Sequence, residues 1–194
     1  MSAPTNIQVV LLAAGVSKRF GSDKRKARLA NGETLWQSSL ALYTQSQLGG
    51  LVVVRRNEQA KFAKSLPPGF AAIECRDSGR GIWASRAFAL SRISSDFVMI
   101  ALADMPFIQS ETVARLLSAL GTGLIIQPSF NAQTGHPKVF HRSLFSKLSD
   151  CKTSLEVKTL INENADAVVN VEVNDVGILR DIDCPADIPG TDTA

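Results

Sequence analysis

Six short apolar runs recur along the chain, and each ends at a glycine, a proline or a polar residue. They are four to eight residues long and rich in valine, isoleucine, leucine and alanine. Strands that are apolar at consecutive positions are typical of a parallel sheet, which is buried on both faces. The runs are Ile7–Ala14, Leu51–Val54, Ala71–Cys75, Phe97–Ala103, Leu124–Gln127 and Val168–Val173.

Four intervening segments carry apolar residues three or four positions apart, which predicts helices. They are Thr34–Gln47, Ile82–Ile93, Ser110–Leu120 and Ser154–Asn162, and Ser110 is the expected N-cap of the third. Strands that alternate with helices predict an α/β fold, a Rossmann-like three-layer sandwich around a mostly parallel sheet. We expect a single domain over residues 1–194, with a core at about 6–188 and a loose C-terminal tail.

Composition excludes several classes of protein. Hydrophobic residues make up 45% of the 194 residues and charged residues 20%, which is typical of a globular domain. No apolar run reaches the ~20 residues of a membrane helix, and no signal peptide is evident, so we expect a cytoplasmic protein without a membrane partner. The three scattered cysteines predict free thiols and no zinc site. A net charge of +3 does not favour a nucleic-acid partner.

The positive charge is concentrated directly after the first predicted strand. Residues 18–28 hold six lysines and arginines and one acid, Asp23, in a loop that also contains Gly15 and Gly21. Backbone N–H groups of such a loop can bind phosphates, with Arg19 and Lys24 supplying charge. The loop matches neither the Walker A pattern nor GxGxxG. The alternative is a solvated basic turn.

Two acidic segments follow later in the chain. Asp104 follows the run Phe97–Ala103, at the end of a strand where α/β folds bind ligands, and a carboxylate there is well placed to hold Mg²⁺. Its alternative role is to cap the next turn. Asp181 and Asp183 alternate in an extended segment and are expected on one face, whereas Asp187 is the expected cap of a helix or turn.

The glycine loop resembles the signature loop of the MobA-like nucleotidyltransferases, a GT-A-like family. The matching residues are Leu12, Ala13, Ala14, Gly15, Ser17, Arg19, Gly21 and Lys24. The resemblance implies that these residues bind the nucleotide and that Arg19 and Lys24 contact its phosphates as catalytic residues. One extra residue before Gly32, relative to the family, leaves Lys26 as an alternative to Lys24.

Three further segments carry the same resemblance. Leu102–Pro106 is similar to the family's L-A-D-M-P motif, which implies that Asp104 is catalytic and binds the metal. Residues 181–187 resemble D-I-D-T-P-x-D, which makes Asp183 the second metal ligand, although Cys184 replaces the usual threonine. Gly81–Ser85 resembles G-M-x-x-S and implies that Gly81 and Ser85 contact the nucleotide; the arginine at position 86 replaces an aliphatic residue.

The element Gly135-His136-Pro137 is similar to the family's G-x-P-x-x-F motif and implies an acceptor-side role. Its G-H-P form, together with Ala14, is typical of the cytidylyltransferase branch. The resemblance thus implies Mg²⁺-dependent transfer of CMP from CTP to a phosphorylated acceptor such as molybdopterin, with release of pyrophosphate. A molybdoenzyme is then the expected recipient of the product. Guanylyl transfer, or another phosphorylated acceptor, is the alternative.

The sequence fits two other functional classes less well. A Rossmann-type oxidoreductase also has a strand and a glycine loop, but it requires GxGxxG and a later acidic residue in register, and neither is present. A non-catalytic nucleotide-binding subunit could share the fold, but Arg19, Lys24 and Asp104 argue against it. Only two histidines occur and no Ser/His/Asp arrangement stands out, so no covalent triad is expected.

Overall fold

A computed structural model describes residues 6–189 and contains a central eight-stranded sheet flanked by helices. The strands are β1 (Ile7–Leu12), β2 (Gly50–Val54), β3 (Phe70–Glu74), β4 (Phe97–Leu102), β5 (Ile125–Phe130), β6 (Gln133–Thr134), β7 (Lys138–His141) and β8 (Val168–Glu172). The α-helices are α1 (Leu35–Gln45), α2 (Gln59–Ala63), α3 (Ile82–Leu90), α4 (Ser110–Ser118), α5 (Phe145–Asp150) and α6 (Ser154–Glu163).

The sheet is mostly parallel, as predicted. Its order is β3-β2-β1-β4-β7-β5-β6, and β8 pairs with β5. The pairs β1–β2, β1–β4, β2–β3 and β5–β8 are parallel, and all six predicted strands are present. Strand β7 was not predicted; it runs antiparallel to both β4 and β5 and joins the two parallel parts of the sheet.

Alternate residues of the central strands enter two separate cores. In β1, Val9 and Leu11 belong to the core that contacts α1, α2 and α4, whereas Val10 and Leu12 belong to the core that contacts α3, α5 and α6. All four side chains are less than a tenth exposed. The continuous apolar run is therefore explained by a sheet that is covered on both faces.

The helix predictions require small corrections. All four predicted helices form, whereas the short helices α2 and α5 were missed. Ser110 is the first residue of α4 rather than its N-cap, which is Gln109. The buried carboxylate of Asp175 takes over the capping role, because it accepts hydrogen bonds from the Gln109 backbone N–H and the Thr112 hydroxyl. The predicted tail lies largely outside the described residues, among which no helix is long and apolar enough to cross a membrane.

Candidate active site

Three chain segments meet at the carboxyl ends of β1 and β4. These strands are parallel neighbours, with Leu12 opposite Leu102, and the Ala103 backbone N–H donates to the Leu12 carbonyl. The glycine loop therefore lies beside Asp104. The C-terminal segment joins them, since the Ile182 backbone N–H donates to the Asp104 carbonyl at 2.9 Å. The fold thus brings together motifs that are about 160 residues apart in sequence.

Lys24 lies at the centre of this junction. Its Nζ is 2.7 Å from Asp104 Oδ2 and 3.1 Å from Asp183 Oδ1, and it donates to the Ile182 carbonyl at 2.8 Å. Burial alone would lower the pKa of the Lys24 ammonium, but its contacts with Asp104 and Asp183 outweigh that effect and raise the pKa above its ordinary value. Lys24 is therefore a cation at neutral pH.

The remaining predicted phosphate and metal residues differ in exposure. Arg19 is exposed and pairs with the other oxygen of Asp183, with Nη2 2.7 Å from Oδ2. Asp181, expected on the same face as Asp183, is exposed. Asp187 accepts hydrogen bonds from the backbone N–H groups of Asp183 and Cys184, which lower the pKa of its carboxyl group. Asp187 therefore caps the turn, as the sequence pattern indicates.

The oxygen atoms around the Lys24 ammonium have the chemistry of a divalent cation site. Two are carboxylate oxygens and one is a carbonyl oxygen, the ligand types that Mg²⁺ prefers. A further oxygen, Asp104 Oδ1, is buried and has no hydrogen-bond partner. No group of three or more histidine, cysteine or acidic side chains that could hold a metal occurs among residues 6–189. The residues thus fit a cation that is held by one or two carboxylates and whose remaining ligands are water and phosphate oxygens.

Arg25 belongs to the basic loop, but no motif marks it as a residue of the site. Its side chain is 4% exposed and donates to the carbonyl of Ala13, at the end of the first strand. Its guanidinium also forms paired contacts with the carboxylates of Asp23 and Glu58, at 2.7–2.8 Å. Arg25 therefore fixes the turn that contains Lys24. Glu58 lies 33 residues after Arg25 in the sequence, and no motif connects the two.

The other cations of the basic loop are less enclosed. Lys26 is 65% exposed and lies 4.0 Å from Asp23, so the structure brings Lys24, and not Lys26, to Asp104. Arg28 is exposed and donates to the carbonyl of Gly32. Within the basic loop, Lys24, Arg25 and Arg19 pair with acidic groups of the chain itself.

Most of the predicted nucleotide-binding residues line a cavity of about 270 Å³ beside Asp104, here called the smaller cavity. Gly21 and Arg19 are not among its lining residues. Gly81 directly precedes α3 and has a φ of 126°, a conformation that favours glycine. The predicted residues that line the smaller cavity are Leu12, Ala13, Ala14, Gly15, Ser17, Lys24, Gly81, Ser85 and Asp104.

A second cavity of about 900 Å³, here called the larger cavity, adjoins the first. Of the three predicted acceptor-side residues, only His136 lines it. Burial lowers the pKa of the His136 imidazole to about 4, so the ring is neutral at pH 7. Gly135 has a packing role, because a Cβ atom there would lie 2.2 Å from the Ile178 carbonyl oxygen. The bond between His136 and Pro137 is cis.

Comparison with known proteins agrees with this geometry. Residues 9–168 match the MobA-like NTP transferase domain, a stretch that includes the glycine loop and Asp104. The chain belongs to the MobA-like NTP transferase family. It is therefore a nucleotidyltransferase, and the oxidoreductase alternative is excluded. Asp183 lies beyond the matched stretch, and the structure shows its contact with Lys24.

Relatives and solved structures resemble this MobA-like chain at low sequence identity. A molybdenum cofactor guanylyltransferase from Shewanella putrefaciens CN-32 is 25% identical over 138 residues, which cover 70% of this chain and 69% of that protein. Guanylyltransferases from other Shewanella strains are matched over 56–58% of their own length.

Two crystal structures of Rv0371c from Mycobacterium tuberculosis H37Rv share the MobA-like fold. One superposes with a TM-score of 0.82 at 25% identity and covers 96% of both chains. The other, a complex with manganese, superposes with a TM-score of 0.72 at 22% identity and covers 87% of this chain and 89% of that one.

Proposed function

We propose that this MobA-like protein transfers a nucleoside monophosphate from a nucleoside triphosphate to a phosphorylated acceptor of the molybdopterin type. The observation that carries the proposal is the cluster of Lys24, Asp104 and Asp183, of which Lys24 and Asp104 line the smaller cavity. Opposite charges concentrated at the carboxyl end of a parallel sheet suit a substrate that carries phosphates and a metal.

The reaction needs no nucleophile from the protein. A phosphate oxygen of the acceptor attacks the α-phosphorus, the bond from that phosphorus to the bridging oxygen breaks, and the electron pair leaves with pyrophosphate. The task of the chain is to position the reactants and stabilise charge. In this account Lys24 and Arg19 release their carboxylates and bind the oxygens of the triphosphate and of the departing pyrophosphate.

Asp104 and Asp183 would hold a divalent cation, which we take to be Mg²⁺. Such an ion neutralises the phosphates and the charge that develops on the leaving group. The unpartnered Asp104 Oδ1 supports this assignment, and so does the presence of manganese in a related mycobacterial structure. The carbonyl of Asp104 is held by the Ile182 N–H, so the backbone beside the carboxylate is fixed before substrate arrives.

Two donor nucleotides have support. GTP is our first choice, because the curated relatives are named guanylyltransferases. CTP is supported by Ala14 and by Gly135-His136-Pro137, the features that led the sequence analysis to the cytidylyl branch. Ala14 is one of the residues that line the smaller cavity, so a substitution there can test its effect on the choice of base.

A screen of the four nucleoside triphosphates tests this proposal. Thermal shifts with Mg²⁺ should show the largest stabilisation with GTP, because a ligand that binds only the folded state raises its stability. Pyrophosphate release in the presence of molybdopterin should follow the same order, which separates an enzyme from a binding subunit. Selective use of CTP that changes towards GTP in Ala14→Gly would assign the protein to the cytidylyl branch. No stabilisation by any triphosphate would contradict the proposal.

The identity of the partner proteins follows from the acceptor. If the product is a molybdopterin dinucleotide, it must pass to a molybdoenzyme, which remains a prediction from the family resemblance. Copurification of this protein with tagged molybdoenzyme subunits, with and without triphosphate, would test whether the two proteins bind each other.

A further inference from the structure

The larger cavity has a strongly one-sided charge. It shares Leu12, Leu102, Gly81 and Ile82 with the smaller cavity, so a molecule bound in one can reach a molecule bound in the other. Its charged lining residues are all cations, and no carboxylate lines it. These cations are Arg86, Lys138, Lys152 and Lys158.

Arg86 is the most deeply buried of these cations. Its side chain is only 8% exposed and forms no ion pair with a described residue. One terminal nitrogen donates to the Cys151 carbonyl, whereas Nε is buried and has no hydrogen-bond partner. The Glu156 carboxylate acts on the Arg86 guanidinium only at a distance, and a buried guanidinium without a close counter-ion costs free energy. Because Arg86 lines the cavity, an anion bound there would supply that counter-ion.

Lys138 is a second cation without a counter-ion. It lies on β7 and donates to the Gln127 side-chain oxygen, which is neutral. Burial, together with the charge of Lys158, lowers its pKa to about 8, so most of the Lys138 population is protonated at pH 7. Near it, the Nδ1 atom of His136 is buried without a hydrogen-bond partner. Two walls of the cavity, α3 and β7, thus each contribute a cation that forms no ion pair with a described residue.

We propose that Arg86 and Lys138 form an anion-binding subsite that selects the acceptor by a phosphate group. That this ligand is the acceptor of the reaction rests on the proposed function. That a phosphate binds in the larger cavity does not depend on it. Apolar side chains, among them Phe140, Leu148 and Ile161, line the same cavity. The preferred ligand is therefore a phosphomonoester with an apolar or aromatic body, and a neutral alcohol of the same shape is rejected.

The phosphate could come from the acceptor or from the triphosphate donor, and the two sources can be separated. Binding of phenyl phosphate is measured by calorimetry with the smaller cavity filled by Mg²⁺ and a non-hydrolysable triphosphate, and again without them. Phenol serves as the neutral comparison. The variants are Arg86→Leu and Lys138→Met, and the matched controls are Arg92→Gln and Lys147→Gln, which lie outside the cavity.

We expect phenyl phosphate to bind the wild type when the triphosphate is present. In both variants its affinity should be lower by about tenfold or more, because a charge-assisted hydrogen bond is lost, and in the controls it should be unchanged. Triphosphate affinity should change by less than about twofold. Lys138→Met keeps the test decisive if Arg86→Leu fails to fold. Unchanged phenyl phosphate affinity, or a parallel loss of triphosphate affinity, overturns the subsite. If no triphosphate binds but phenyl phosphate binding is still weakened in the variants, the proposed function is wrong and the subsite is supported.

Discussion

The ammonium group of Lys24 lies 2.7 Å from the carboxylate of Asp104, the residue that we propose as a metal ligand. Asp183 completes the same arrangement at 3.1 Å. Without substrate, the chain thus supplies its own cation to two acids that would otherwise repel each other. A triphosphate offers Lys24 a stronger anionic partner, so we expect metal and nucleotide to enter together.

The first prediction concerns metal binding without nucleotide. Lys24→Met removes the competing ammonium and should increase the affinity for Mn²⁺ by about tenfold, measured by electron paramagnetic resonance of free Mn²⁺. Lys26→Met is the matched control and should have no effect, since Lys26 is exposed. Equal Mn²⁺ affinity in the wild type and Lys24→Met would show that Lys24 does not compete with the metal.

The second prediction separates a phosphate contact from an exposed charge. Arg19→Ala should weaken use of the triphosphate about tenfold, because it removes a charge-assisted hydrogen bond. The thermal stability of the free protein should hardly change, since the Arg19 side chain is 78% exposed and its pairing with Asp183 is screened by solvent. Steady-state kinetics and a melting curve measure both effects. The neighbouring Lys18→Ala is the control, and an equal loss in that variant would mean that only net charge matters.

The third prediction assigns a structural role to Arg25. Arg25→Met should lower the free energy of unfolding by about 3 kcal/mol, because it removes the buried donor to the Ala13 carbonyl and leaves Asp23 and Glu58 with Arg55 as their remaining arginine partner. Urea denaturation measures the loss. Arg28→Met, which removes an exposed arginine from the same loop, should cost well under about 1 kcal/mol. Similar stability of the two variants would contradict the view that Arg25 anchors the loop.

The fourth prediction follows from the lowered pKa of Lys138, about 8. Lys138 is charged below that pH and becomes neutral above it, so phenyl phosphate affinity should fall between pH 7 and pH 9.5. The imidazole of His136, with a pKa of about 4, is neutral throughout this range. Arg86 stays protonated, and Lys158 is the nearby cation that lowers the pKa of Lys138. Lys138→Arg should bind phenyl phosphate with little pH dependence. If the affinity of that variant still falls as the pH rises, a group other than Lys138 is titrating.

Much of the fold could be predicted because its signals are local. The run from Val9 to Leu12 is apolar at every position, and this pattern has a direct cause in a sheet covered on both faces. Strand β7 left no such signal. It has four residues, and Lys138 and His141 enclose only two apolar ones, so its antiparallel pairing with β4 depends on tertiary packing.

Only the site residues that stand in recognisable motifs could be predicted from the sequence. Asp104 and Lys24 stand in recognisable segments, but their direct contact, and the exposure of Lys26, depend on how the loop folds. The burial of Arg25 requires Glu58, which no motif connects to the loop. The cationic wall around Arg86 combines residues of α3, β7 and α6, so the sequence alone showed only an unusual arginine.

If Asp104 holds a divalent cation against the triphosphate in this MobA-like protein, its carboxylate should be required for Mg²⁺ to strengthen nucleotide binding. The most direct test is calorimetric titration of GTP into wild type, Asp104→Asn and the exposed control Asp181→Asn, each with and without Mg²⁺. We predict that Mg²⁺ strengthens GTP binding in the wild type and in Asp181→Asn, and that this Mg²⁺-dependent gain falls about tenfold or more in Asp104→Asn. An equal Mg²⁺-dependent gain in all three proteins would contradict the account.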